Sequence, residues 1–205
     1  LPLPKSLLVH GFVTVGGAKM SKSLGNGVGP MEVIEQYGSD AFRYYFSRHV
    51  PTQEDGDFTW EKFENVYNNE LGNDLGNLVQ RVASMVKRYQ SGVIGDARQS
   101  EHDMGPYREA MRSLEFNRAL DEVWVTVRAL NQYLENVKPW EIAKKLGKDT
   151  EAESHLAEVL GYASGVLLQV ADLLTPFMPT TAESIRQIFA SGVVPETLTP
   201  LFPKR

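Results

Sequence analysis

Lys19 and Lys22 stand three positions apart in the run Lys19-Met20-Ser21-Lys22-Ser23. Ser21 and Ser23 put hydroxyl donors beside them, and Gly16, Gly17, Gly25 and Gly27 flank them. Mobile point charges, hydroxyls and a backbone free to approach an anion form a combination suited to gripping phosphate. A lysine that meets the phosphates of a nucleotide only in the transition state lowers a barrier without over-stabilising the ground state. The spacing is not that of a Walker loop, because no G-x-x-x-x-G-K-[ST] occurs. On charge alone, a solvated surface loop with two lysines reads as well.

A second set has side chains that read bases. Asn73, Asn77 and Arg81 recur every fourth residue, and Lys138-Pro139-Trp140-Glu141 offers an indole behind a proline. Amide and guanidinium groups bond to the edges of unstacked bases, and an indole stacks on their faces. On an ideal helix the three polar residues fall opposite the apolar stripe, where any solvated face falls, so their spacing alone is neutral. A tryptophan taken alone is more often a core residue. Lys87 and Arg88 fit an RNA backbone or plain solvent. Glu61, Glu64 and Glu70 read as a solvated helix face, and Trp60, Trp124 and Phe116 as bundle core. His10, His49, His102 and His155 show no ligand or triad spacing.

These residues need elements to position them. Leu7-Leu8-Val9 predicts a short buried strand, and Phe12 to Val15 a strand ending at the Gly16-Gly17 turn. Pro30 to Tyr37 predicts a helix closed by Gly38. Ser39 or Asp40 is expected to cap a second helix, Ala41 to His49. Asp55-Gly56-Asp57 reads as a turn, and Phe58-Thr59 as a brief strand. From Trp60 to Gln90 no proline intervenes, and Leu71, Leu75, Leu78, Val82, Met85, Val86 and Tyr89 keep helical spacing. A polar linker from Asp96 to Met104 precedes helices over 106–113, 117–137, 139–146, 151–174 and 181–190. The tail from Val194 carries three prolines and reads as extended. The expected organisation is mainly α: a small α+β module over 1–60, then a helical bundle over 61–205.

Composition bounds the function. The 205 residues carry 21 Lys and Arg against 26 Asp and Glu, net charge −5, so no global positive field draws in nucleic acid. RNA contact must come from local patches. Absence of cysteine excludes disulfides and thiolate metal sites, and four scattered histidines offer no zinc site. No unbroken apolar run reaches the ~20 residues that span a bilayer, and the N-terminus lacks a signal-peptide core. A soluble, cytoplasmic protein without membrane or DNA partners is expected. The chain begins at Leu1, which reads as a fragment or processed piece.

K-M-S-K-S followed by Leu24-Gly25-Asn26 resembles the signature of class I aminoacyl-tRNA synthetases. Asp40-Ala41-Phe42-Arg43-Tyr44-Tyr45 resembles the segment that follows it there. His10-Gly11-Phe12-Val13-Thr14-Val15, Lys138-Pro139-Trp140-Glu141 and the Asn73, Asn77, Arg81 series are similar to methionyl-tRNA synthetases. The H-I-G-H motif, the nucleotide-binding repeat and the zinc-knuckle cysteines of such enzymes have no counterpart here. The resemblance therefore implies the end of a catalytic region with the K-M-S-K-S loop and stem-contact fold, then an anticodon-binding bundle. It assigns Lys22, assisted by Lys19, to ATP phosphate, with Met20, Ser21 and Ser23 completing the loop. It assigns Trp140 to stacking on the first base of a C-A-U anticodon, Asn77 and Arg81 to anticodon bases, and Asn73 and Pro139 to shaping that site. ATP with Mg2+, methionine and tRNA(Met), initiator included, are the implied partners of the whole enzyme. Alone, the chain should not activate an amino acid. A leucyl or cysteinyl enzyme, or a free-standing tRNA-binding module, stays open as an alternative.

Overall fold

The computed structural model describes residues 3–5, 7–19, 27–98 and 103–204. Met20, Ser21, Lys22 and Ser23 of the lysine run lie outside the described residues, and Lys19 lies inside them.

A three-stranded sheet begins the fold: β1 (Val13–Val15), β2 (Ala18–Lys19) and, far along the chain, β3 (Gly56–Phe58). β1 lies between the other two, antiparallel to β2 and parallel to β3. Gly16 and Gly17 join β1 to β2 with φ of 61° and 76°, the double left-handed turn that matches strand twist and that glycine adopts without strain. Asp55-Gly56-Asp57 was expected to turn, but Gly56 and Asp57 instead pair with Val13 and Thr14. Leu7-Leu8-Val9 forms no strand and is exposed.

α1 (Pro30–Tyr37) and α2 (Ser39–Arg48) meet at Gly38, φ 87°. Neither Ser39 nor Asp40 caps α2 with its side chain. The buried Asp40 carboxylate instead accepts from Thr181 N–H at 2.6 Å and Thr181 Oγ1 at 2.8 Å, capping a helix 141 positions away. That helix needs a partner for its unpaired first-turn N–H groups, and tertiary packing brings Asp40 to it.

Residues 60–90 form one continuous rod, as the missing proline predicts, but not one α-helix. α3 (Trp60–Val66), capped by the Thr59 side chain, passes into a π-helical segment, Tyr67–Gly76, and then α4 (Asn77–Gln90). The Asn77 N–H bonds to the Gly72 carbonyl, five residues back. Such wide turns are rare and recur at functional sites. The predicted stripe is the buried face: Leu71, Leu75, Leu78, Val82 and Val86 are all inside.

α5 (Gly105–Arg112), α6 (Phe116–Val137), α7 (Pro139–Ala143, shorter than expected), α8 (Thr150–Leu174) and α9 (Pro179–Phe189) complete the bundle. Trp124 on α6 is fully buried against Tyr44 of α2, and Leu160, Leu167 and Leu174 of α8 and Ile185 of α9 belong to the same buried core. Each such leucine contributes about 1.5–3 kcal/mol relative to exposure. α8 is long and apolar enough to cross a membrane by composition, which the search for an unbroken apolar run did not anticipate, yet 61% of that window is buried among the other helices. Two glycines on it, Gly161 and Gly165, admit the backbone of the 96–98 strap, because a Cβ there would lie 2.5 and 2.1 Å from carbonyls of Asp96 and Arg98. The tail folds back: Tyr67 Oη donates to the Pro203 carbonyl at 2.9 Å and Phe202 packs edge-on to that ring. Trp60 packs at the margin of the core, against Tyr37 and Phe58 of the small module and Phe63 of α3.

Candidate phosphate and nucleic-acid sites

Lys19 ends the β1–β2 hairpin as a strand residue in register with Thr14, not as part of a flexible loop. Directly opposite residues of paired strands share a face. Thr14 is also opposite Asp57, so Lys19, Thr14 and Asp57 form one row across the three strands. Asp57 Oδ1 accepts from Thr14 Oγ1 at 2.9 Å and from the Gly17 N–H at 2.8 Å, while Oδ2 pairs with Lys62 Nζ at 3.1 Å. The Gly17 N–H bond, then the Thr14 and Lys62 bonds, hold its pKa below the ordinary carboxylate value.

The second candidate site gathers around Arg81. Asn73 closes the π-helical segment's polar side, its amide donating to Asn69 Oδ1 at 3.4 Å, and that of Asn69 to Asn65 Oδ1 at 3.1 Å. Asn77 opens α4, exposed, at the point where wide turns give way to α-helix. Arg81 Nη1 reaches Glu135 Oε1 at 2.7 Å on the last turn of α6. Asn131, one turn earlier, donates to the Asp74 carbonyl at 3.1 Å. Lys138 follows in the left-handed conformation, φ 52°, and turns the chain sharply into α7. Pro139 is buried at the start of α7, and Trp140 is half-buried against the core. Arg81 Nε is buried without a protein partner.

Sequence reasoning missed Asn131 and Glu135. Their signal was present, two polar residues a turn apart on a helix otherwise rich in buried apolar side chains, but nothing in it pointed to Arg81. It also misjudged Glu70. Its carboxylate takes hydrogen bonds from Tyr44 Oη, Arg48 at 3.0 Å and His49 Nε2 at 3.0 Å. Arg48 also pairs with Asp121 at 3.0 Å and lies 4.7 Å from the Trp124 ring centre. Burial raises the Glu70 pKa, but the His49 and Tyr44 bonds and the Arg48 charge outweigh it and hold the value below normal. Burial, chiefly, pushes the Tyr44 hydroxyl far above its ordinary value, so it stays a donor.

Residues 1–83 match the family described as tRNA synthetases class I (M), and residues 106–203 match the anticodon-binding domain of tRNA ligase. Methionine–tRNA ligase of Enterococcus faecalis (strain ATCC 700802 / V583) is 40% identical over 97% of this chain and 30% of its own length. The chain belongs to the methionyl-tRNA synthetase family. The enzyme of that name from Thermotoga maritima is 36% identical over 90% of the chain and 30% of its own length. Mycobacterium tuberculosis methionyl-tRNA synthetase bound by methionyl-adenylate superposes with a TM-score of 0.86 at 27% identity, over 99% of this chain and 45% of that one. The chain thus spans about 30% of the length of these curated members of the methionyl-tRNA synthetase family.

Proposed function

We propose that this chain supplies two parts of a methionine–tRNA ligase, the enzyme that activates methionine with ATP and esterifies tRNA(Met), initiator tRNA included. Residues 1–60 carry Lys19, at the end of the β1–β2 hairpin, and Lys22, and the two stabilise the negative charge that develops on the leaving pyrophosphate. Met20, Ser21 and Ser23 complete the lysine run. Residues 61–205 read a C-A-U anticodon, with Trp140 stacking on the cytosine, Asn77 and Arg81 bonding to base edges, and Asn73 and Pro139 shaping the site. The observation that supports this reading is the Arg81–Glu135 bridge, which ties α4 to the end of α6 just before Pro139 and Trp140. Among the described residues no three acidic or imidazole groups cluster to hold a metal. Mg2+ would accompany ATP in the whole enzyme. The sites suit a soluble cytoplasmic enzyme with no DNA or membrane partner.

Binding of this chain to transcripts of initiator tRNA with C-A-U and with a swapped anticodon, at fixed low salt, tests the reading. A preference for C-A-U that Trp140→Ala lowers by about 1–3 kcal/mol supports it. Equal binding of both transcripts by the folded chain contradicts an autonomous anticodon reader. In the full-length protein, Lys22→Ala should slow methionine-dependent ATP–pyrophosphate exchange far more than it weakens methionine binding. An equal loss in both would remove the transition-state role.

A further inference from the structure

Among the described residues β2 pairs with β1 alone, and β1 pairs in turn with β3. A two-stranded hairpin by itself is marginal in water, so the contacts that tie its turn to the third strand bear on the direction in which Lys19 leaves the sheet. Backbone pairing of β1 with β3 runs up to Val15 and Phe58, and at the turn the Gly16 N–H bonds to the Phe58 carbonyl at 3.3 Å. The shorter contact at the tip comes from a side chain on the far strand: the Asp57 carboxylate receives the Gly17 N–H at 2.8 Å, with Thr14 Oγ1 on the same oxygen. A carboxylate accepting from N–H and O–H makes charge-assisted bonds, shorter and stronger than neutral ones. Lys62 Nζ, from the first turn of α3, holds the other oxygen at 3.1 Å. Asp57 contributes nothing to the apolar core, which includes only its neighbour Phe58. Its partners lie on β1, on the hairpin turn and on α3.

We infer that Asp57 is a positioning residue for the phosphate site: it clamps the tip of the β1–β2 hairpin to β3 and α3, and so fixes where Lys19 is held. This rests on the reading of Lys19 as a phosphate contact. Asp57 touches no substrate; it acts through Gly17 and Thr14. The two oxygens have separable tasks, since Oδ1 alone holds the hairpin. An asparagine keeps an acceptor there and an alanine does not.

The test is methionine-dependent ATP–pyrophosphate exchange by the full-length protein carrying Asp57→Ala, Asp57→Asn, Thr14→Val or Lys19→Ala, with melting temperature measured alongside. Asp57→Ala should lower kcat roughly tenfold to a hundredfold, the scale of a misplaced reacting group, with the methionine KM unchanged. Asp57→Asn should recover most of that loss. Thr14→Val, which removes one of the two Oδ1 partners, should fall between wild type and Asp57→Ala, and it carries the test if the alanine variant does not fold. Wild-type kcat in both Asp57→Ala and Thr14→Val, with Lys19→Ala slow, overturns the clamp and leaves the phosphate reading standing. An asparagine variant that melts like wild type yet is as slow as Asp57→Ala also overturns it. Normal exchange by Lys19→Ala removes the phosphate reading itself.

Discussion

Two arginine–carboxylate pairs lie along the same helical rod, and they differ in closure. At one, Arg48 (side chain 7% exposed) meets Glu70 (18% exposed), and Asp121, Tyr44 and the Trp124 face take up the rest of the guanidinium. At the other, Arg81 (27% exposed) meets Glu135 (54% exposed), and its Nε has no protein partner. The first pair has spent its donors on the protein and joins α2, the π-helical segment and α6. The second meets Glu135 and Asn131 with its outer nitrogens and lies nearer solvent. The same chemistry serves architecture at the first pair, and the proposed function gives the second to recognition.

Breaking the closed pair should have the largest effect. Arg48→Ala leaves Glu70 largely buried without its cation and should destabilise the fold by about 3–5 kcal/mol, measured by urea unfolding. A loss below ~1 kcal/mol would put the two pairs in the same class. The open pair should respond in the opposite way. Arg81→Ala should cost the fold at most ~1 kcal/mol, as expected for a pair with an exposed partner. In tRNA binding it should weaken C-A-U recognition by about 1–3 kcal/mol, the worth of a good base-edge contact. If stability falls more than binding, Arg81 is a strut and the contrast fails.

The smallest effect is a pH dependence. The folded Glu70 carboxyl has a pKa below the unfolded value, so the unfolded chain binds the proton more readily as pH drops. The stabilisation is present above about pH 4.5 and is lost as pH falls through the folded value. That one group contributes a slope of no more than ~1.4 kcal/mol per pH unit. Glu70→Gln should remove this component from acid unfolding curves; an unchanged slope would mean the carboxylate does not carry it.

The comparison also separates what could be read early from what could not. The lysine run, the Gly16-Gly17 turn, the proline-bounded helices and the Leu71–Val86 stripe rest on local sterics and periodicity, and residues within a few positions of each other carry them. Asp40, Glu70 and Asp57 carry no such signal. Each looked like an ordinary capping, solvated or turn carboxylate, because its partner lies on another element: Thr181 for Asp40, Arg48 for Glu70, Gly17 for Asp57. The π-helical segment was equally hidden. Its Asn- and Gly-rich run fits an α-helix by spacing, and the wide turns appear where Tyr67 and Phe202 pack and the chain passes beneath α6.

By itself, then, the sequence determined which segments coil, which face of each is apolar, where glycine permits a left-handed turn and which residue types suit phosphate and bases. Backbone sterics and the 3.6-residue period act within a few residues, so one strand of text is enough to express them. Only the tertiary structure decided which charges are saturated and which stay open. A carboxylate's role depends on the donors within about 3 Å of it, and packing brings those donors together from segments that the sequence keeps far apart.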